Sequence, residues 1–221
     1  MFHVKHSISH IIYSVEDLKS TETIIQSNNE VLGKYTERLL WWNEKINLVS
    51  RDVSHETLMS HVHHSLLLYP LIERLSPKKV IDTGTGGGLP GLPLAVCMPA
   101  ITFHFNDIVQ KKIMAVKQMS KTLGLDNTSF GAGSIANEKM DIGELVITKH
   151  AFKISDLVGF LEGKPWAEIL FLKGEEEVGG ELSKTSLPLK AEVISLDKVI
   201  TDEFYQGKAI VRVKRMAEAH E

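Results

Sequence analysis

Between Val80 and Ala95 the chain reads VIDTGTGGGLPGLPLA, and this run constrains the fold more than any other part of the sequence. A short apolar stretch ends on Asp82. Gly84, Gly86, Gly87 and Gly88 follow, and Pro90 and Pro93 lead into a second apolar stretch. Glycine has no Cβ, so it takes up positive φ and lets the backbone approach a ligand closely. Proline in the first turn of a helix removes an amide that has no acceptor there. The pattern predicts a strand, a tight loop and a helix whose free amides and positive end attract a ligand, the dipole alone contributing about 0.3–1 kcal/mol.

The sequence around this loop supplies a sheet. From Lys79 onward, β-rich runs at Val80–Asp82, Ile101–Asn106, Thr128–Phe130, Leu145–Thr148 and Ile169–Leu172 alternate with helical periodicity over Gln110–Leu123 and Phe152–Leu161. Alternation of this kind predicts βαβ units and a mostly parallel sheet. The last two runs, Ala191–Leu196 and Ala209–Val213, have only the polar stretch Thr201–Gly207 between them, so an antiparallel pair at the sheet edge is expected. The segments before residue 75 read as helical. Leu32, Tyr35, Leu39, Trp42 and Ile46 recur at steps of three and four and predict an amphipathic helix over Val31–Leu48. Ser54 is the expected N-cap of a second helix through Leu58, Val62, Leu66 and Tyr69, ending at Pro70. The expected organisation is a helical extension over residues 1–75 packed on an α/β core over 76–221.

Composition narrows the class. With 43% hydrophobic residues the chain has ample apolar surface for a core, which excludes a disordered reading. Its 25 Lys and Arg against 28 Asp and Glu leave a formal charge of −3, so it does not coat nucleic acid by bulk charge, and any such contact is local. The single cysteine, Cys97, excludes an intramolecular disulfide framework. No run approaches the roughly 18 apolar residues that span a bilayer, and a cytoplasmic protein with no membrane partner is expected. His55, His61, His63 and His64 suggest a metal, but HETLM lacks the second histidine of the H-E-x-x-H motif, and no metal is expected.

The loop alone fits two ligands. Gly86, Gly88 and Gly91 satisfy G-x-G-x-x-G, the dinucleotide pattern, whereas Gly84, Gly86 and Gly88 satisfy the G-x-G-x-G of methyltransferases. Asp82 leans toward S-adenosylmethionine, because an acid closing the first strand repels a pyrophosphate but suits the amino-acid end of a sulfonium cofactor. Asp107, closing the second strand, can accept from ribose hydroxyls of either ligand.

The segments WWNEKINLVS at Trp41–Ser50, DTGTGGGLPGLPLA at Asp82–Ala95, the pair Lys111–Lys112 and LKG at Leu172–Gly174 together resemble the glucose-inhibited division protein B (RsmG) family. The opening MFHVKH is similar to starts seen in that family. The resemblance implies a class I S-adenosylmethionine-dependent methyltransferase: a Rossmann-like fold with a seven-stranded, mostly parallel sheet and an N-terminal helical extension. The implied activity is methylation of ring nitrogen seven of a guanine in small-subunit (16S) ribosomal RNA, with the RNA or a subunit particle as partner. Carried over by position, Asp82, Gly84, Gly86, Gly88 and the turn Leu89–Pro90–Gly91 form the cofactor loop, with Asp107 under the ribose. Ser134, Ile135 and Ala136 stand where adenine contacts belong. The family's arginine–histidine pair and aspartate in the second N-terminal helix correspond to Ser60, His61 and His64 here. Its serine–arginine–alanine corresponds to Lys149, His150 and Ala151, with His150 in a cofactor-side position and cationic only in part near neutral pH.

The implied chemistry needs alignment more than proton transfer. Guanine N7 carries an in-plane lone pair and no proton, so no residue is assigned as general acid or base, and positioning can supply on the order of 7–11 kcal/mol. For RNA, the candidate phosphate contacts are Lys111, Lys112, Lys149 and Lys173, with Lys5, His6, Arg51 and the tail Arg212, Lys214 and Arg215 behind them. Two rival readings remain at this point: a ribosome-assembly RNA-binding protein with weakened catalysis, and an NAD-dependent oxidoreductase.

Overall fold

A computed structural model describes residues 6–216. Its central sheet has eight strands in the order β1-β7-β8-β6-β5-β2-β3-β4. The strands are β1 (Ser7–His10), β2 (Lys79–Thr83), β3 (Thr102–Asp107), β4 (Thr128–Ala132), β5 (Leu145–Lys149), β6 (Glu168–Gly174), β7 (Leu189–Ser195) and β8 (Lys208–Arg215). β8 runs antiparallel to both neighbours and all other pairs are parallel. The five expected parallel strands and the antiparallel β7–β8 pair are present, but the pair is not the sheet edge as expected, because β1 adds outside β7.

The apolar runs of the central strands divide by parity. Val80, Leu145, Ile147, Leu170 and Leu172 belong to one buried cluster, and Ile81, Val146, Ile169 and Phe171 to another. Successive side chains of a strand point to opposite faces, so a continuous apolar run requires cover on both. The first face is covered by helices α2 (Asn29–Asn43), α3 (His55–Leu66), α5 (Gly91–Cys97) and α6 (Gln110–Thr122), and the second by α7 (Ile154–Phe160) and α8 (Glu177–Leu182).

Three expectations before residue 75 are corrected. The segment is not wholly helical, because Ser7–His10 pairs in parallel with β7 and raises the strand count from seven to eight. A four-residue edge strand, mostly exposed, carries no burial periodicity in its sequence. The helix expected over Val31–Leu48 ends at Asn43, whose side chain redirects the chain: Oδ1 accepts from the Leu48 and Val49 amides at 2.9 Å each, and Nδ2 donates to the Ser50 carbonyl at 2.9 Å. The helix capped by Ser54 stops at Leu66, and Pro70 sits in the first turn of a separate helix, α4 (Tyr69–Leu75), where its missing amide does no harm. A further helix, α1 (Val15–Ser27), starts from a Ser14–Asp17 capping box.

Candidate active site

The glycine loop leaves β2 at the C-terminal edge of the sheet and is closed by its own acids. Asp82 is fully buried, and its Oδ2 accepts from Thr85 Oγ1 at 2.6 Å and from the Gly91 amide at 3.0 Å. Burial raises the Asp82 carboxyl to about 7, and its Oδ1 has no partner. A Cβ on Gly91 would lie 2.6 Å from Asp82 Oδ2 and from the Phe105 ring, so this glycine lets α5 seat on the strands beneath it. Gly84, at φ +66°, passes beneath the β5–α7 connection, where a Cβ would stand 2.4 Å from that of Ala151. Asp107 joins the loop to β3, one oxygen accepting from the Gly86 amide at 3.0 Å and the other from Val109 at 2.9 Å.

Helix α2 and the WWNEKINLVS segment at its C-terminal end support the loop from the other side. Tyr35 donates its hydroxyl to the Gly87 carbonyl at 3.0 Å, and the Asn43 turn delivers the Leu48 carbonyl and side chain against Gly86 and Gly87.

A cleft of about 370 Å³ opens beside the loop. Of the residues expected at the cofactor, Gly84, Asp107, Ser134 and Ile135 line it. Gly86 borders it through its bond to Asp107, while Gly88, Leu89, Pro90 and Gly91 are buried in the turn that shapes it. Asp82 likewise acts from inside the turn, and Ala136 is exposed in the 3₁₀ turn beyond Ser134. Sequence reasoning missed Ile108, Phe152 and Phe160 as lining residues and placed Lys112 on RNA alone, although it lines this cleft too. Ile108 is 75% exposed, a large apolar side chain at a strand end next to an acid. That juxtaposition is the one signal the sequence offered.

At the end of β5 the chain builds a different environment. Lys149 Nζ lies 2.8 Å from His61 Nδ1, with burial and the nearby Lys208 lowering the Lys149 ammonium to about 8. Burial, aided by Lys149, lowers both His61 and His150 to about 4. His64 is fully buried with neither ring nitrogen partnered, and burial holds it well below the ordinary histidine range. The partly cationic His150 expected near neutral pH is therefore a neutral imidazole. His64 and His150 face each other with ring centroids 6.2 Å apart.

The candidate RNA cations separate by burial. Lys111 is exposed, and Arg51 is as well. Lys173 is buried, bonded to Glu181 and 3.3 Å from Glu177, so it is not presented to a phosphate as expected. In the tail, Arg212 is paired bidentately with Glu168, Lys214 with Glu192, and Arg215 lies over the Trp166 ring. Lys5 lies outside the described residues. Among the described residues no group of three or more His, Cys, Asp or Glu is placed to hold a metal ion, and no helix is long and apolar enough to cross a membrane.

The GidB family, described as rRNA small subunit methyltransferase G, matches residues 28–199. The chain belongs to this family. A ribosomal RNA small subunit methyltransferase G from Bacteroides thetaiotaomicron is 31% identical over 180 residues, 77% of this chain and 84% of the relative. One from Chlorobium limicola is 35% identical over 160 residues, 70% of this chain and 73% of the relative. Among solved structures, an O-methyltransferase from Bacillus cereus in complex with SAH superposes with a TM-score of 0.53 at 16% identity, covering 82% of this chain and 90% of that one. At that identity the likeness concerns the fold, which is that of class I methyltransferases.

Proposed function

We propose that this GidB-family protein uses S-adenosylmethionine to methylate ring nitrogen seven of a guanine in small-subunit ribosomal RNA. The observation that carries the reading is the cleft beside the glycine loop, at the carboxyl edge of the parallel strands where α/β folds place their ligands, in a chain of this family. Its residues suit the group. Asp107 keeps free lone pairs for hydroxyls beyond the two amides it accepts, Ser134 offers a hydroxyl, and Ile108, Phe152 and Phe160 offer apolar faces to an adenine ring. Bound there, S-adenosylmethionine supplies an electrophilic methyl group on a positively charged sulfur, for which the protonless lone pair of guanine N7 is a suitable nucleophile.

The chain's own residues then orient and shield. Asp82 fixes the turn through Thr85 and Gly91, while Asp107 holds Gly86 in place. Lys112, half-buried at the cleft mouth, and Lys111, exposed beside it, are the phosphate contacts, and Lys149 adds charge from the β5 end. Residues 1–75 act as an extension supporting the core of 76–221, and a cytoplasmic location suits a ribosomal substrate.

Isothermal titration with S-adenosylmethionine, followed by mass mapping of small-subunit ribosomal RNA with and without the protein, tests this reading. Binding plus one additional 7-methylguanine is expected, and absence of cofactor binding overturns it. Ribosome association without methylation would instead select an assembly role.

A further inference from the structure

The cleft has a neighbour of similar size. A second cavity of about 370 Å³ shares Ala151, Phe152 and Phe160 with it, and the buried Lys173–Glu181 pair and the more exposed Glu177 line this cavity. We propose that this second cavity receives the target guanine, with Glu177, Lys173 and Glu181 reading its Watson–Crick edge. The inference rests on the methyl-transfer reading above and names the base subsite for it.

The donor and acceptor order matches guanine. Its O6 acceptor stands next to the N1–H and N2–H₂ donors, and here an ammonium stands next to two carboxylates, with Lys173 Nζ 3.3 Å from Glu177 and bonded to Glu181. Adenine offers the reverse order, a donor at N6 and an acceptor at N1, which would set a lone pair against a carboxylate. Glu181 is held in place by the Ile154 amide at 2.7 Å, so the acceptor is fixed before any base arrives. Phe152 and Phe160, 6.1 Å apart and nearly perpendicular, supply aromatic surface for the ring. A guanine bound by its Watson–Crick edge leaves N7, on the adjacent edge beside O6, unengaged and open to the cofactor.

Charge points the same way. N7 gains a methyl group and loses no proton, so the ring becomes cationic. The cavity presents Asp156, Glu177 and Glu181 against Lys153 and Lys173, with His150 neutral, so carboxylates predominate where positive charge develops. Glu177 is the residue to test, because its side chain is 57% exposed and its replacement leaves the core intact.

The experiment is ligand-detected NMR titration of the full chain with guanosine, 7-methylguanosine, inosine and adenosine, with and without S-adenosylhomocysteine. Guanosine is expected to bind roughly tenfold to a hundredfold tighter than adenosine. Inosine, lacking the 2-amino group, should fall between them, and 7-methylguanosine should bind best. Glu177→Gln should erase the advantage of 7-methylguanosine while leaving S-adenosylhomocysteine affinity unchanged, and Phe160→Ala should weaken all four nucleosides. Equal binding of guanosine and adenosine, or an unchanged preference in Glu177→Gln, overturns the inference. Loss of the cofactor reading registers separately, as no S-adenosylhomocysteine binding in the wild type, and the nucleoside ratios still decide the base site.

Discussion

The glycine loop and the corner where α3 meets β5 lie at the same edge of the sheet and are stabilised in opposite ways. In the loop, acids and amides pair: Asp82 accepts from Thr85 and Gly91 through one oxygen, Asp107 accepts from Gly86 and Val109, and Tyr35 donates to the Gly87 carbonyl. In the corner, Lys149 donates to a histidine, and His64 is buried with both nitrogens unpartnered. A loop closed by its own hydrogen bonds has one shape and tolerates little change. A corner held by packing of neutral rings has room for exchange. His64 and His150 illustrate this, facing each other with ring centroids 6.2 Å apart. A buried carboxylate without its cation costs several kcal/mol, whereas two neutral imidazoles avoid that penalty together.

The largest expected effect lies in the loop. Gly91→Val forces a side chain into Asp82 and Phe105 and should lower stability by about 3 kcal/mol in urea unfolding, the upper range for overpacking. A loss under about 0.5 kcal/mol, the range of a surface change, would show that the loop relaxes as the corner does. Asp107→Ala releases two loop amides and should weaken S-adenosylmethionine roughly tenfold to a hundredfold by isothermal titration.

In the corner, His64→Asp and His150→Arg are each expected to destabilise, the first because it buries a carboxylate in a site with no bonding partner for the ring it replaces, the second because it adds a cation beside Lys149 and Lys208. The double variant should recover, with a coupling of about 0.5–3 kcal/mol in a double-mutant cycle. Simple additivity would mean that the two positions do not act as a pair.

Acid should separate the regions further. His61 and His150 sit near 4 in the fold against an ordinary 6.5, so the unfolded chain takes up protons first. Their contribution to stability is complete above pH 6.5 and is lost as pH falls toward 4. Asp82, raised from 3.8 to about 7, behaves oppositely: its contribution is complete below pH 3.8 and is lost as pH rises through about 7. Thermal midpoints from pH 4 to 8 should show His61→Gln flattening the acid limb and Asp82→Asn flattening the neutral one. The smallest effect is expected outside both regions. Lys111→Ala should reduce the salt slope of RNA binding by about 1 and leave stability within about 0.5 kcal/mol.

Much of the fold was legible because periodicity records burial. The parallel strands, the antiparallel pair and the Ser54 cap follow from residues whose neighbours in sequence are also their structural context. The departures share a cause as well. Ser7–His10 is a strand only because β7 offers an edge, and Asn43 ends its helix because its side chain suits the Leu48–Ser50 turn. In the site, Lys111 and Lys173 look alike as lysines near strand ends. One reaches solvent while the other is enclosed by Glu177 and Glu181. Phe152 and Phe160 likewise read as part of a helix periodicity, and only their placement against Gly84 and Ile135 makes them walls of the cleft.

By itself the sequence determined the strand–loop–helix unit, the direction of the sheet and the family, since these rest on spacings of glycine, proline and apolar residues along a few turns of chain. The tertiary structure alone decided which acids close the loop, which cations stay free and which histidines are neutral. Charge state and hydrogen bonding depend on groups brought together across dozens of residues, as with Lys149 and His61, and on how much water the fold leaves around them.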